Sequence, residues 1–252
     1  MKKNKKRNAI IVLLAAIVLV VVVSKIPYYK IKDRTKDIKE FKGASKENAI
    51  SWVRVQGTNI DLPVVYYYDS DVSDATYDIA WSFVNDKKIA DKTTIFSHNI
   101  LNVSRKPQIT NKNHKRFEQL LSYIYTDFVK ENKYIQYTIN GKNYLYKIYG
   151  ISFQKSDDLI YKENNLNKKE KNKYIKDTKN KSFFDFKVDV DDKDKLLTLV
   201  TCTRFYGERI DYSFVVDARL VRKHEMVRNY KVVENKKYKK IKKIMNGADE
   251  DA

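Results

Sequence analysis

One cysteine, Cys202, and three histidines, His98, His114 and His224, are the side chains from which this sequence would build nucleophilic chemistry. A cysteine attacks a carbonyl as its thiolate, so it needs positive charge nearby, a histidine to move protons and a donor for the oxyanion. Cys202 follows Leu196-Leu197-Thr198-Leu199-Val200-Thr201, which reads as a buried strand, and Phe214–Val221 reads as another. Thr93-Thr94-Ile95-Phe96 is a short predicted strand that delivers Ser97-His98-Asn99 to its C-terminal end, where side chains for chemistry are commonly carried. Two strand ends of one sheet are a way for His98 and Cys202 to meet. The order histidine then cysteine does not by itself decide the matter, because a lone free cysteine also serves as a small buried hydrophobe. His114 lies in a polar loop and His224 in a basic tail, and both read as solvated surface. No intrachain disulfide is possible with one cysteine, and these spacings match no metal-ligand pattern. With six glycines and no phosphate-cradling loop or dinucleotide fingerprint, no cofactor is expected.

The elements that must position this pair read as mainly β. Ile50–Val55 alternates like a half-buried strand, Gly57-Thr58-Asn59 supplies a turn, and Leu62–Tyr66 resumes extended chain. Tyr134–Ile139 and Tyr144–Phe153 alternate on either side of Asn140-Gly141, a strong hairpin signal. Tyr28, Ile31, Thr35, Ile38 and Phe41 lay an apolar stripe along a helix that Gly43 would end. Phe117, Leu120, Leu121 and Ile124 give the spacing of an amphipathic helix. Leu159–Lys181 reads as a long Lys- and Asn-rich surface connection with one helix around Lys168–Thr178. Asp69–Asp78 and Asp189–Asp194 are acidic loops without the spacing of a calcium loop, and they read as solvated. The tail, with Lys236-Lys237-Tyr238-Lys239-Lys240-Ile241-Lys242-Lys243, reads as frayed or helical surface.

The N-terminus sets the compartment. A basic segment, Met1–Arg7, precedes the unbroken apolar run Ala9–Val23. That run is short for a span and equally fits a signal peptide by length, but Ser24–Tyr29 offers no small-x-small cleavage site, so a retained anchor is expected. The positive-inside rule then places the N-terminus in the cytoplasm and the rest outside. The net charge of +19 comes from 51 Lys and Arg against 32 Asp and Glu. Basic residues are scattered through 162–181 and concentrated in 222–243, without a nucleic-acid module, so an anionic membrane or wall polymer is the expected partner and nucleic acid is not.

Thr198-Leu199-Val200-Thr201-Cys202 is similar to the nucleophile signature of the class B sortases, the membrane-anchored cysteine transpeptidases of Gram-positive bacteria. Ile95-Phe96-Ser97-His98-Asn99 resembles their histidine segment, with Ser97 where a glycine usually stands. Trp52–Val65 resembles their first two strands, and the Lys-rich connection before the cysteine strand resembles the class B variation; together these cover roughly Tyr28 to Lys223. The resemblance implies a mainly β fold: a sortase-type closed β-barrel with peripheral α-helices, preceded by a single N-terminal transmembrane helix. In that organisation residues 1–8 are cytoplasmic, 9–24 span the membrane, 25–47 are linker and helix, 48–223 form the catalytic domain and 224–252 a charged tail.

Carried over by residue, the resemblance makes Cys202 the nucleophile that attacks a C-terminal sorting motif of a secreted protein, and His98 the general acid and base. An amine of the cell-wall precursor or of a pilin subunit then resolves the thioester. An arginine would steady the oxyanion. The gapless position for it holds Ser213, so Arg209, which shares facing parity with 213, is the substitute and Arg204 the runner-up. Thr201 and Asn99 are secondary site residues, and Thr201 reads equally as a buried strand residue. Two further readings stay open: a catalytically degenerate sortase-fold binding protein, and a cysteine endopeptidase with water as acceptor.

Overall fold

Alternation of apolar side chains drives the architecture, because a strand with one apolar face must bury that face against others. A computed structural model describes residues 12, 28–41, 48–67, 78–83, 88–102, 115–156, 165–207 and 211–247. The chain divides into two compact units, residues 1–30 with 226–228 and residues 31–225 with 229–252. Of the expected transmembrane stretch over 9–24, only Val12 falls among the described residues, where it is helical and exposed. Among the described residues no helix is long and apolar enough to cross a membrane.

The larger unit is a closed barrel. Its strands are β1 (Ala49–Val55), β2 (Asp61–Tyr66), β3 (Ala80–Ser82), β4 (Lys92–Phe96), β5 (Tyr134–Ile139), β6 (Lys142–Lys155), β8 (Leu196–Thr203) and β9 (Tyr212–Leu220). They close in the order β1-β2-β3-β4-β8-β9-β6-β5. A small separate pair joins β7 (Phe184–Phe186) to β10 (Val232–Glu234). The expected strands over 50–55, 62–66, 93–96, 134–139, 144–153, 196–201 and 214–221 all appear with small shifts of boundary, whereas β3, β7 and β10 are additional three-residue strands. Asn140 and Gly141 both hold positive φ, 47° and 71°, which matches the twist of the β5–β6 hairpin. Inside the barrel, Val53, Ile95, Ile148, Leu197, Leu199 and Val216 are fully buried.

Three helical expectations change. The helix expected from Tyr28 to Phe41 is confined to α1 (Thr35–Glu40) and buries none of its residues. The backbone of Lys32 instead exchanges hydrogen bonds with the side chain of Gln136, which holds the approach to α1 extended. Gly43 lies outside the described residues. The amphipathic helix expected from Phe117 is a 3-10 helix, Phe117–Ile124, buried on every side, so Glu118 and Gln119 are enclosed with the leucines. Of the two expectations for the tail the helical one appears, as α4 (Lys236–Met245), but it is not only surface, because Tyr238, Ile241 and Ile244 enter the main core. The three follow at i, i+3 and i+6, a stripe embedded in lysines.

The remaining helices are α2 (Thr126–Glu131) and α3 (Lys168–Lys181). α3 starts at a capping box in which Asn167 and Glu170 bond reciprocally, at 3.0 and 2.8 Å. It lies over the outer face of β8, β9 and β6. There Tyr174 bonds to Thr198 Oγ1 at 2.9 Å and to the buried carboxyl of Asp217. Buried Lys92 donates to Thr94 at 2.7 Å and sits 4.9 Å from the Tyr174 ring. The loop at 189–194 is not simply solvated either. Asp189, Asp191 and the buried Asp194 converge on Arg222 at 2.8, 3.2 and 2.8 Å.

Candidate active site

The cysteine strand alternates between two environments. Leu197 and Leu199 enter the core, so Thr198, Val200 and Cys202 face outward. Cys202 is exposed, whereas Thr201 and Thr203 on either side are buried. Its outward face carries a second apolar cluster, Val65, Ile79, Trp81, Phe96, Val200 and Val215.

The histidine strand is the immediate parallel neighbour of the cysteine strand. β4 and β8 pair from Lys92 opposite Leu196 to Phe96 opposite Val200. The Ser97 amide continues this ladder to the Val200 carbonyl at 3.4 Å, and the Thr201 hydroxyl donates to the Ser97 carbonyl at 2.8 Å. Carrying the register two residues beyond Phe96 sets His98 opposite Cys202. The Asn99 side-chain amide then donates to the Cys202 carbonyl at 3.0 Å, so the two strand ends are tied on both sides of the histidine. Ser97, in the place of the expected glycine, is buried and uses its hydroxyl to bond the Ile79 carbonyl at 2.7 Å. His98 itself is half-buried, with its ring 5.0 Å from Trp81 and its carbonyl accepting from the Phe117 amide at 3.1 Å.

The charge around the sulfur comes from the loop beyond β8. Although Cys202 is exposed, the atoms around its sulfur desolvate the thiolate and push the thiol up from its ordinary range, while Arg204 opposes this by electrostatic attraction. Arg204 is exposed and shares the parity of Cys202. Ser213 stands directly across from Cys202 in β9 and Gln154 across from Ser213 in β6, an outward polar row over three strands. Arg209 lies outside the described residues. Arg219 sits at the opposite end of β9, away from the thiol, in a bond with Glu225 at 2.8 Å. His224 is exposed, and His114 lies outside the described residues.

Neither residue type nor motif singles out Trp81. The alternation Ile79-Ala80-Trp81-Ser82-Phe83 carries a strand signal for it, in a run too short to stand out. Phe83, Ile100 and Leu101 are exposed near the histidine and give this side of the site an apolar rim. Among the described residues no group of His, Cys, Asp and Glu is arranged to hold a metal ion.

The combination of a closed barrel and a cysteine and a histidine on adjacent parallel strand ends defines a class of fold. The Staphylococcus aureus sortase B–substrate complex is similar over 88% of this chain and 99% of its own, at 17% identity and a TM-score of 0.59. Clostridium perfringens sortase B matches over 69% of this chain and 94% of its own, at 24% identity and a TM-score of 0.56. A sortase B complexed with triglycine matches over 87% and 99%, at 17% identity and a TM-score of 0.59. No protein-family model and no curated protein matches the chain. The chain thus has the closed-barrel fold of the class B sortases.

Proposed function

We propose that this chain is a sortase-type cysteine transpeptidase acting outside the membrane, anchored by residues 9–24. The supporting observation is the placement of exposed Cys202 beside the end of the His98 strand, on a face with an apolar flank. The Cys202 thiolate attacks the carbonyl of a C-terminal sorting motif, and the peptide C–N bond breaks as His98 gives its proton to the leaving amine. An amine of the wall precursor or of a pilin subunit then attacks the thioester, forming a new amide and releasing the thiol. Binding of substrate and of triglycine by the structurally similar sortase B proteins is consistent with both half-reactions. Arg204 supports the thiolate electrostatically in this scheme, with Arg209 the other candidate for the oxyanion.

The test is thioester capture and transfer with sorting-motif peptides, with and without triglycine. Cys202→Ala abolishes covalent capture, and turnover that survives this substitution sinks the proposal. An amine-insensitive product identifies a hydrolase. Ser213 in place of an arginine opposite the thiol favours one other reading, a binding protein with the same fold, which would bind peptide without ever forming the thioester.

A further inference from the structure

A second concave site lies beside the barrel, between the first turns of α4, the end of α3 and the loop that follows β8. It encloses about 310 Å³, and four lysines line it: Lys181, Lys236, Lys237 and Lys240. Its apolar lining includes Phe153, Phe183 and Tyr206. The aromatic wall is built rather than incidental. Phe153 lies 5.8 Å from Phe183 in a stacked pair and 5.3 Å from Tyr206 edge-on, so the rings brace one another. Among the described residues no acidic side chain lines the cavity, and Lys236, Lys237 and Lys240 form no ion pair.

The lysines stand where local helix physics disfavours them. Lys236 and Lys237 occupy the first turn of a helix with no acidic residue there, at the positive end of its dipole. Asn235 caps the Lys237 amide at 3.0 Å with a neutral side chain, and its own amide donates to Asp185 at 3.0 Å, so the nearby carboxylate bonds the cap and not the lysine ammonium groups, whose positive charge remains. An anion in the cavity would answer it. Lysine holds phosphate as a point charge, and four ammonium groups on one cavity match the multiple charge of a phosphate ester better than the single charge of a carboxylate.

We propose that this cavity binds a phosphate-bearing ligand, its phosphoryl group held by Lys236, Lys237, Lys240 and Lys181 and its apolar or ring-bearing body laid against Phe153, Phe183 and Tyr206. The site communicates with the thiol by position. Lys181 donates to Gln154 at 3.3 Å, and Gln154 shares the polar row with Ser213 and Cys202. Two strand spacings, about 10 Å, separate β6 from β8 along that row. The binding itself does not depend on Cys202.

Titration calorimetry on the full chain in nonionic detergent tests the assignment, with inorganic pyrophosphate and short-chain dihexanoyl phosphatidylglycerol as probes. Saturable binding tighter than about 1 mM is expected for at least one probe, retained in Cys202→Ala. The double reversal Lys237→Glu/Lys240→Glu should weaken it at least about tenfold with an unchanged far-ultraviolet spectrum, because two of the phosphoryl contacts are inverted. Lys239→Glu/Lys243→Glu, the same charge change on the same helix outside the cavity, should leave the affinity within about twofold. Pyrophosphate binding as tight as lipid binding identifies a free phosphate ester as the ligand chemistry, and binding of the lipid alone identifies a headgroup with its apolar body. Absence of saturable binding by both probes overturns the proposal. Equal weakening by the two double variants also overturns it, since the effect is then net charge and not a site.

Discussion

The side-chain amide of Asn99 donates to the backbone carbonyl of Cys202 at 3.0 Å, joining the loop that carries the histidine to the residue that carries the thiol. Asn99 is buried, so replacing it with Ala leaves that part-buried carbonyl without its donor. A lost bond of this kind costs about 1–3 kcal/mol, and about 1.4 kcal/mol of lost positioning is tenfold in rate. Asn99→Ala should therefore slow thioester formation on the order of tenfold with only a modest fall in melting temperature. A rate equal to that of the parent protein would show that the tether does not position the thiol.

The reactivity of Cys202 should rise at higher pH than that of an ordinary thiol. Desolvation pushes the thiol up, and Arg204 only partly offsets it. The rate of alkylation by iodoacetamide as a function of pH reports the thiolate fraction, and its midpoint is expected above about 8.5, the value for free cysteine. Arg204→Gln removes the attraction, so the midpoint should move further up. A downward movement, or a midpoint below the free value in the parent protein, would contradict this balance of desolvation and attraction.

How much of this is legible in the sequence depends on the kind of signal. The strands of the barrel are readable because alternation is a local property: Ile50–Val55 and Tyr134–Ile139 announce themselves residue by residue. That the segments carrying Cys202 and His98 lie side by side is readable because each follows a predicted strand of the same sheet. The 3-10 helix at 117–124 is not, because burial on all sides is decided by what packs around the segment, and apolar spacing alone reports one face. The tail misleads for a related reason. Lysines dominate the composition of Lys236–Met245, a segment whose fold is set by Tyr238, Ile241 and Ile244. The Asn99 tether arises from the parallel pairing of β4 with β8 and the Trp81 contact from the antiparallel pairing of β3 with β4, and no local pattern encodes either.

Acid should weaken the end of the barrel away from the thiol. Burial raises the Glu225 carboxyl, but hydrogen bonds from Arg219 and from Lys147, the latter at 2.6 Å, outweigh it and hold the group down at about 2. The folded value lies below the ordinary one, so the stabilisation is complete above about pH 4.5 and is lost as pH falls toward 2. Discounted for partial exposure, it amounts to on the order of 2 kcal/mol. Melting temperature against pH should fall less steeply between about pH 5 and 2 in Glu225→Gln than in the parent protein. Parallel curves would assign the acid lability to other carboxylates.

The seat of α3 on the barrel depends on the absence of a side chain at Gly150. A Cβ built there would lie 2.3 Å from the Thr178 methyl, a contact that forces either the helix or the strand to move. The strand is poorly placed to yield, because β6 already shifts register between Ile148 and Gly150 against β9. The helix is held in turn by Tyr174 and Thr178 over Asp217. Gly150→Ala should thus destabilise the protein by about 1–3 kcal/mol, a fall of several degrees in melting temperature for a chain of this size. Thr178→Ser deletes the methyl while keeping the hydroxyl, so in the double variant most of that loss should return. The coupling between the two sites, measured as a double-mutant cycle, distinguishes steric conflict from a general intolerance of β6. Additive losses would place the strain within the strand, and α3 would then owe its position to the Tyr174–Asp217 bond and not to the space above Gly150.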